Sequence, residues 1–105
     1  MDLAIDRPWM TAFGTELYPT PFEKAAAISE SIVRNHPFND GNHRTALAAL
    51  HLILGLHQLK LAAPKDAQKD MIIGVGAGTI EFRNFVQWIQ QYSILRPDSG
   101  EIPHS

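Results

Sequence analysis

The sequence predicts a small all-α domain, and three observations carry that reading. Apolar residues recur at three- and four-residue spacing, as in Phe22, Ala25, Ile28, Ile32 and Val33, and again in Phe82, Phe85, Val86 and Ile89. Thr20, Pro21 and Glu23 form the signature of a helix start, with a threonine cap, a proline at the first helical position and a glutamate at the third. The run Leu47-Ala48-Ala49-Leu50-His51-Leu52-Ile53-Leu54 is apolar almost all round, which marks a helix enclosed by others.

The elements follow in chain order. Residues 1–8 suit a short helical turn that stops near Pro8, because proline cannot continue a helix from within. From Trp9 to Pro21 the chain is loop-like, punctuated by Gly14, Pro19 and Pro21, with an extended or hairpin element over residues 11–18. The first long helix runs from the Thr20 cap to about Asn35, since the residue before Pro37 avoids the helical region. That leaves His36 at the helix C-terminus, aimed at the turn. The central helix is expected over residues 42–54, with Gly55 as its C-terminal cap, an exit from Gly55 to Lys60 and then a loop through Ala62-Ala63-Pro64. Pro64 opens the next helix, which carries Ala67, Met71, Ile72 and Val75 inward and closes in Gly74-Val75-Gly76-Ala77-Gly78. That glycine run follows a helical pattern and precedes a capped helix, so it reads as a terminus and turn, not a nucleotide loop. Thr79 caps the last helix, through Tyr92. Residues 1–95 therefore form one domain, and residues 96–105, rich in Pro, Asp, Ser and Gly, form a flexible tail.

Composition narrows the function. The chain has 105 residues, 45% hydrophobic and 19% charged, with a formal net charge of −2, so neither disorder nor a polyelectrolyte partner is indicated. Direct nucleic-acid binding through a basic face is disfavoured, although a local anion pocket is not. The absence of cysteine excludes disulfides and thiolate metal sites. The acidic start, Met1 to Asp6, lacks the basic region of a signal peptide, and no apolar run is long enough to span a bilayer. A soluble cytoplasmic protein is the expectation, with no membrane partner.

The chemistry concentrates in His36-Pro37-Phe38-Asn39-Asp40-Gly41-Asn42-His43-Arg44-Thr45-Ala46-Leu47. The stretch reads as helix end, tight turn and helix start, and supplies imidazoles, a carboxylate, a carboxamide and a guanidinium. One reading is a plain helical corner, with Asn39 or Asp40 as a cap and Arg44 as a solvated charge. The other is an anion site. The first amides of a helix have no intrahelical partner, and an arginine against the positive end of a helix dipole suggests an anion between them. A metal cage from His36, Asp40, His43, His51 and His57 is unpromising, because the histidines stand seven, eight and six residues apart and none pairs at i,i+4. His51 and His57 read as packing or surface residues. A hard cation on Asp40 shared with ligand phosphates suits magnesium, which takes one or two carboxylates and keeps its waters.

Over this stretch the sequence resembles the Fic/Doc family. Fic members carry H-x-F-x-D/E-G-N-G-R-x-x-R, and the death-on-curing toxins of the family carry H-x-F-x-D-A/G-N-K-R-T-A-L. His36, Phe38, Asp40, Gly41, Asn42, Arg44, Thr45, Ala46 and Leu47 match one or both. The likeness extends over about residues 3 to 92, through the segment from Tyr18 to Ala27 and that from Gly74 to Glu81. It implies the family's small helical fold, with a short flap before the second helix. It implies roles as well. His36 is the general base toward a hydroxyl of a target protein, and Asp40 holds Mg2+ against the phosphates of ATP. Gly41, Asn42, His43 and Arg44 form the nucleotide- and phosphate-binding set. Phe38 is a structural anchor that buries the turn, and Thr11, Phe13, Gly14 and Thr15 lie in the flap that aligns the target chain.

The departures are informative. His43 replaces the glycine of Fic enzymes and the lysine of the toxins, and its bulk resembles the arrangement that goes with transfer of the terminal phosphate. Leu47 replaces the second arginine of Fic enzymes, which weakens an AMP-transfer reading. Met1 falls well inside the family domain, so the usual first helix is expected to be missing, which favours exposed apolar surface and a homodimer. The leading expectation is a toxin of a toxin–antitoxin pair that moves a phosphate or nucleotidyl group from ATP to a protein hydroxyl. Its partners by resemblance are a translation factor as target and a cognate antitoxin whose tail folds on binding. The alternatives are a Fic-type AMP transferase and a degenerate, non-catalytic binding module.

Overall fold

The computed structural model describes residues 18–96. The elements run in the order α1 (Pro21–Asn35), α2 (Asp40–Leu56), β1 (Leu59–Leu61), α3 (Lys65–Ala77), α4 (Phe82–Tyr92) and β2 (Ser93–Leu95). The fold is a small helical domain, as the apolar spacing predicts. The expected turn over residues 1–8 and the flap lie outside the described residues.

Helix α1 begins on the anticipated capping box. Thr20 Oγ1 accepts from the Glu23 N–H at 3.2 Å, and Glu23 Oε1 accepts from the Thr20 N–H at 3.0 Å. The helix ends at Asn35, with His36 as its C-cap and Pro37 next. Ala25, Ala26 and Ala27 are all fully buried, together with Val33, so α1 is covered on more than one side. Its small side chains let α2, α3 and α4 all approach it. Leu50 and Leu54 of α2, Ile72 and Val75 of α3 and Phe85 and Ile89 of α4 complete the core.

Helix α2 extends beyond residues 42–54 at both ends. Asn39 is its N-cap, accepting from the Asn42 N–H through Oδ1 at 3.1 Å, and helical geometry therefore begins at Asp40. Gly55 lies inside the helix, and the expected cap there is corrected to His57. The left-handed residue that closes this end is Gln58, at φ 63°. Gly55 answers a different need, since a Cβ there would sit 3.2 Å from Arg96 Nη1, which packs against the helix backbone. Nor is α2 enclosed all round by the described residues, for Leu52 is 63% and Leu56 67% exposed.

The helix exit, for which no strand is expected, leads into β1, paired antiparallel with β2 in the register Leu59 with Leu95, Lys60 with Ile94 and Leu61 with Ser93. Bonds from Ala62 N–H to the Tyr92 carbonyl and from Arg96 N–H to the Gln58 carbonyl extend the pairing at both ends. Helix α3 terminates as predicted in the glycine run. Gly78, at φ 85°, returns its N–H to Gly74 and Val75 carbonyls. Thr79 does not cap α4. Its hydroxyl donates to the Gly74 carbonyl at 3.1 Å, and Glu81 takes the N-cap position of α4. Among the described residues no helix is long and apolar enough to cross a membrane.

Candidate functional site

The polar stretch forms the turn between α1 and α2. Proline at position 37 stops α1, the His36 carbonyl accepts the Asn39 N–H at 3.0 Å, and Asn39 starts α2. The imidazole, the carboxylate and the guanidinium thus sit within nine residues, across the end of one helix and the opening turns of the next. His36, Asp40 and Arg44 are all exposed. Asp40 stands in the first turn of α2, and its side chain is 82% exposed. Arg44 has no ion pair among the described residues. The Asp40 and Gly41 amides precede the first residue whose N–H bonds within α2, so both are open to a ligand. Gly41 holds the helix entry through its carbonyl, which accepts from Thr45 Oγ1 at 2.8 Å.

Three predicted residues take other positions. Phe38, expected to anchor the turn, is 82% exposed, because none of the described elements packs over its ring. The Asn42 carboxamide donates to the Ile32 carbonyl at 2.9 Å, tying the last turn of α1 to the first of α2. One hydrogen of that amide is thereby committed to the protein. His43, expected to crowd the phosphate subpocket, turns inward and is 8% exposed. Its Nε2 hydrogen-bonds the Pro37 carbonyl, which can only accept, so Nε2 carries the hydrogen. Its Nδ1 has no hydrogen-bond partner among the described residues and lies 3.7 Å from Asp40 Oδ1. Helical spacing foretells this burial: His43, Ala46, Leu50 and Leu54 share the inner face of α2. Thr11, Phe13, Gly14 and Thr15 lie outside the described residues.

Away from the turn, His51 Nε2 donates to Gln68 Oε1 at 2.8 Å, while buried Gln68 donates to the Ala63 carbonyl at 2.8 Å. His51 therefore links α2 to α3, and His57 closes α2. No group of three or more His, Cys, Asp and Glu side chains gathers among the described residues. Asp40 alone offers one hard oxygen ligand, the donor set magnesium accepts when phosphates and waters supply the rest.

An exposed imidazole just past the end of α1, followed by a carboxylate and a guanidinium in the opening turns of α2, makes this a small helical domain with a polar turn between two packed helices. The Fic/DOC family profile matches residues 1–54, about half of the sequence, and the chain belongs to that family. It is 42% identical over 69 residues to Toxin Doc of Mycolicibacterium smegmatis, an alignment covering 66% of this chain and 53% of that protein. The chain thus spans about half the length of the curated relative it matches. No solved structure matches it.

Proposed function

We propose that this chain carries the transfer chemistry of a Doc-like toxin, moving the terminal phosphate of ATP to a hydroxyl of a target protein. The observation that carries the reading is the turn itself, which brings exposed His36, Asp40 and Arg44 close in sequence around the N-terminus of α2, where the Asp40 and Gly41 amides have no partner within the helix. His36 accepts the proton of the target hydroxyl, whose oxygen bonds to the γ-phosphorus as the bond to the bridging oxygen breaks and ADP leaves. The proton then passes from His36 to solvent. Arg44 and the Asp40 and Gly41 amides offset the charge on the phosphate oxygens. A magnesium ion on Asp40 would supply further neutralisation of those oxygens. The likeness to a toxin suggests a cognate antitoxin as partner, and the sequence resemblance suggests a translation factor as target.

A second reading, transfer of AMP, gains from one observation. The His43 ring lies under the turn and so does not fill the phosphate side of the site. Paired labelling separates the two. The chain receives magnesium, a cell extract as target source, and ATP labelled at the α or the γ position. Label from γ alone supports phosphate transfer, and label from α supports AMP transfer. His36→Ala abolishes either while the ATP-dependent rise in melting temperature persists. Transfer that survives in His36→Ala overturns the base assignment. No transfer by the wild-type chain into an extract that an active relative modifies overturns the enzymatic reading.

A further inference from the structure

Two features of the structure are left unused by that reading, and they meet at one residue. Pro37 follows the proposed base directly. On one side its carbonyl accepts the Nε2 hydrogen of His43, a ring only 8% exposed. On the other, α3 comes against it at Gly76, in the middle of the glycine run. A Cβ on Gly76 would lie 3.4 Å from both Cα and Cβ of Pro37, and 2.9 Å from Val33 Cγ2. Glycine lets α3 seat close against Val33 of α1, and in that seat α3 meets Pro37 at ordinary contact distance. The His36 backbone is held through its carbonyl by the Asn39 N–H, while its side chain stands in solvent. What the fold fixes at this position is therefore the backbone, and with it the Cα–Cβ direction from which the imidazole projects.

We propose that His43 and Gly76 are positioning residues that grip Pro37 from two sides and fix the approach of the His36 imidazole. His43 then acts through the turn, not on the nucleotide. The proposal rests on the reading of His36 as the base for its kinetic consequence, although its structural consequence can be read without any turnover. A base misplaced by about 1 Å can lose on the order of 100-fold in rate while leaving ligand binding intact. The grip therefore shows itself in kcat and not in KM.

The test uses the full chain with His43→Leu, His43→Gln and Gly76→Ala. The expected result is a fall in kcat of roughly 10- to 100-fold in His43→Leu and Gly76→Ala, with KM for ATP changed less than about twofold. Glutamine keeps an N–H that reaches the Pro37 carbonyl, so His43→Gln recovers most of the lost rate. Independently, hydrogen exchange at the Asn39 amide, which donates to His36, quickens about 10-fold or more in His43→Leu. Exchange at Phe85 and Ile89, in the α4 core, stays as in the wild type. A raised KM with unchanged kcat in His43→Leu makes His43 a nucleotide ligand and overturns the proposal. So does unaltered Asn39 exchange. A wild-type chain that transfers nothing defeats the proposed function alone, since the exchange comparison still decides whether the grip exists.

Discussion

Replacing Asn42 separates two roles for one side chain. In the structure its carboxamide donates to the Ile32 carbonyl at 2.9 Å, in a half-buried position where α1 ends beside the start of α2. Asn42→Ala leaves that carbonyl without its partner, which costs about 1–2 kcal/mol, the lower part of the usual range because water reaches the site. For a domain of this size that is a fall in melting temperature of about 5–15 °C. Asn42→Asp is the sharper probe. A carboxylate in the first turn of α2 gains about 0.3–1 kcal/mol from the helix dipole. It also sets an acceptor against an acceptor, and the loss of the bond outweighs that gain. Asn42→Asp therefore melts below the wild type despite its favourable charge. Thermal unfolding followed by circular dichroism, with and without ATP and magnesium, reads both effects. A ligand at 100 times its dissociation constant adds about 2.7 kcal/mol to the folded state. That increment survives in Asn42→Ala if the carboxamide is a tie between helices. A variant with wild-type stability that no longer responds to ATP would refute the tie and restore Asn42 to the phosphate set.

Other perturbations have clear directions. Leu50→Ala, at a fully buried position between the helices, lowers stability by about 2–5 kcal/mol in urea unfolding. Thr20→Ala breaks the capping box at the start of α1 and costs about 1 kcal/mol, visible as a lower denaturation midpoint with an unchanged slope. Phe38→Ala changes stability by less than about 0.5 kcal/mol, because the ring is 82% exposed, whereas a buried anchor would cost about 3–5 kcal/mol.

What the sequence discloses is what neighbouring residues decide between themselves. The Thr20–Glu23 box spans one helical turn, and the Pro37 stop acts on the residue before it, so α1 is legible at both ends. The His36–Arg44 stretch is legible for the same reason, being contiguous. The hidden features depend on partners distant in the chain. Asn42 serves α1 through Ile32, ten residues upstream, and the guanidinium that comes close to Gly55 belongs to Arg96, far along the chain. Strands β1 and β2 hold three residues each, too few for alternation to register, and their pairing joins segments more than thirty positions apart. The burial of His43 is hidden for another reason, since its place in the motif and its place on the helix face point to different surroundings. Only the spacing puts it in line with Ala46, Leu50 and Leu54.

The short pairing of β1 with β2 bears on the order in which the molecule assembles. It closes a loop of about thirty residues around α3 and α4, and that entropy is lost before three residue pairs can offset it. Helices α1 and α2, joined by residues 36–39 alone, meet with almost no chain to fold back. The helical hairpin bearing the polar turn is thus the natural nucleus, and the strand clasp closes last. Kinetic measurements should give φ-values well above 0.5 for substitutions between α1 and α2 and near zero in β2. On this route the chain builds its chemistry before it fastens its C-terminal end.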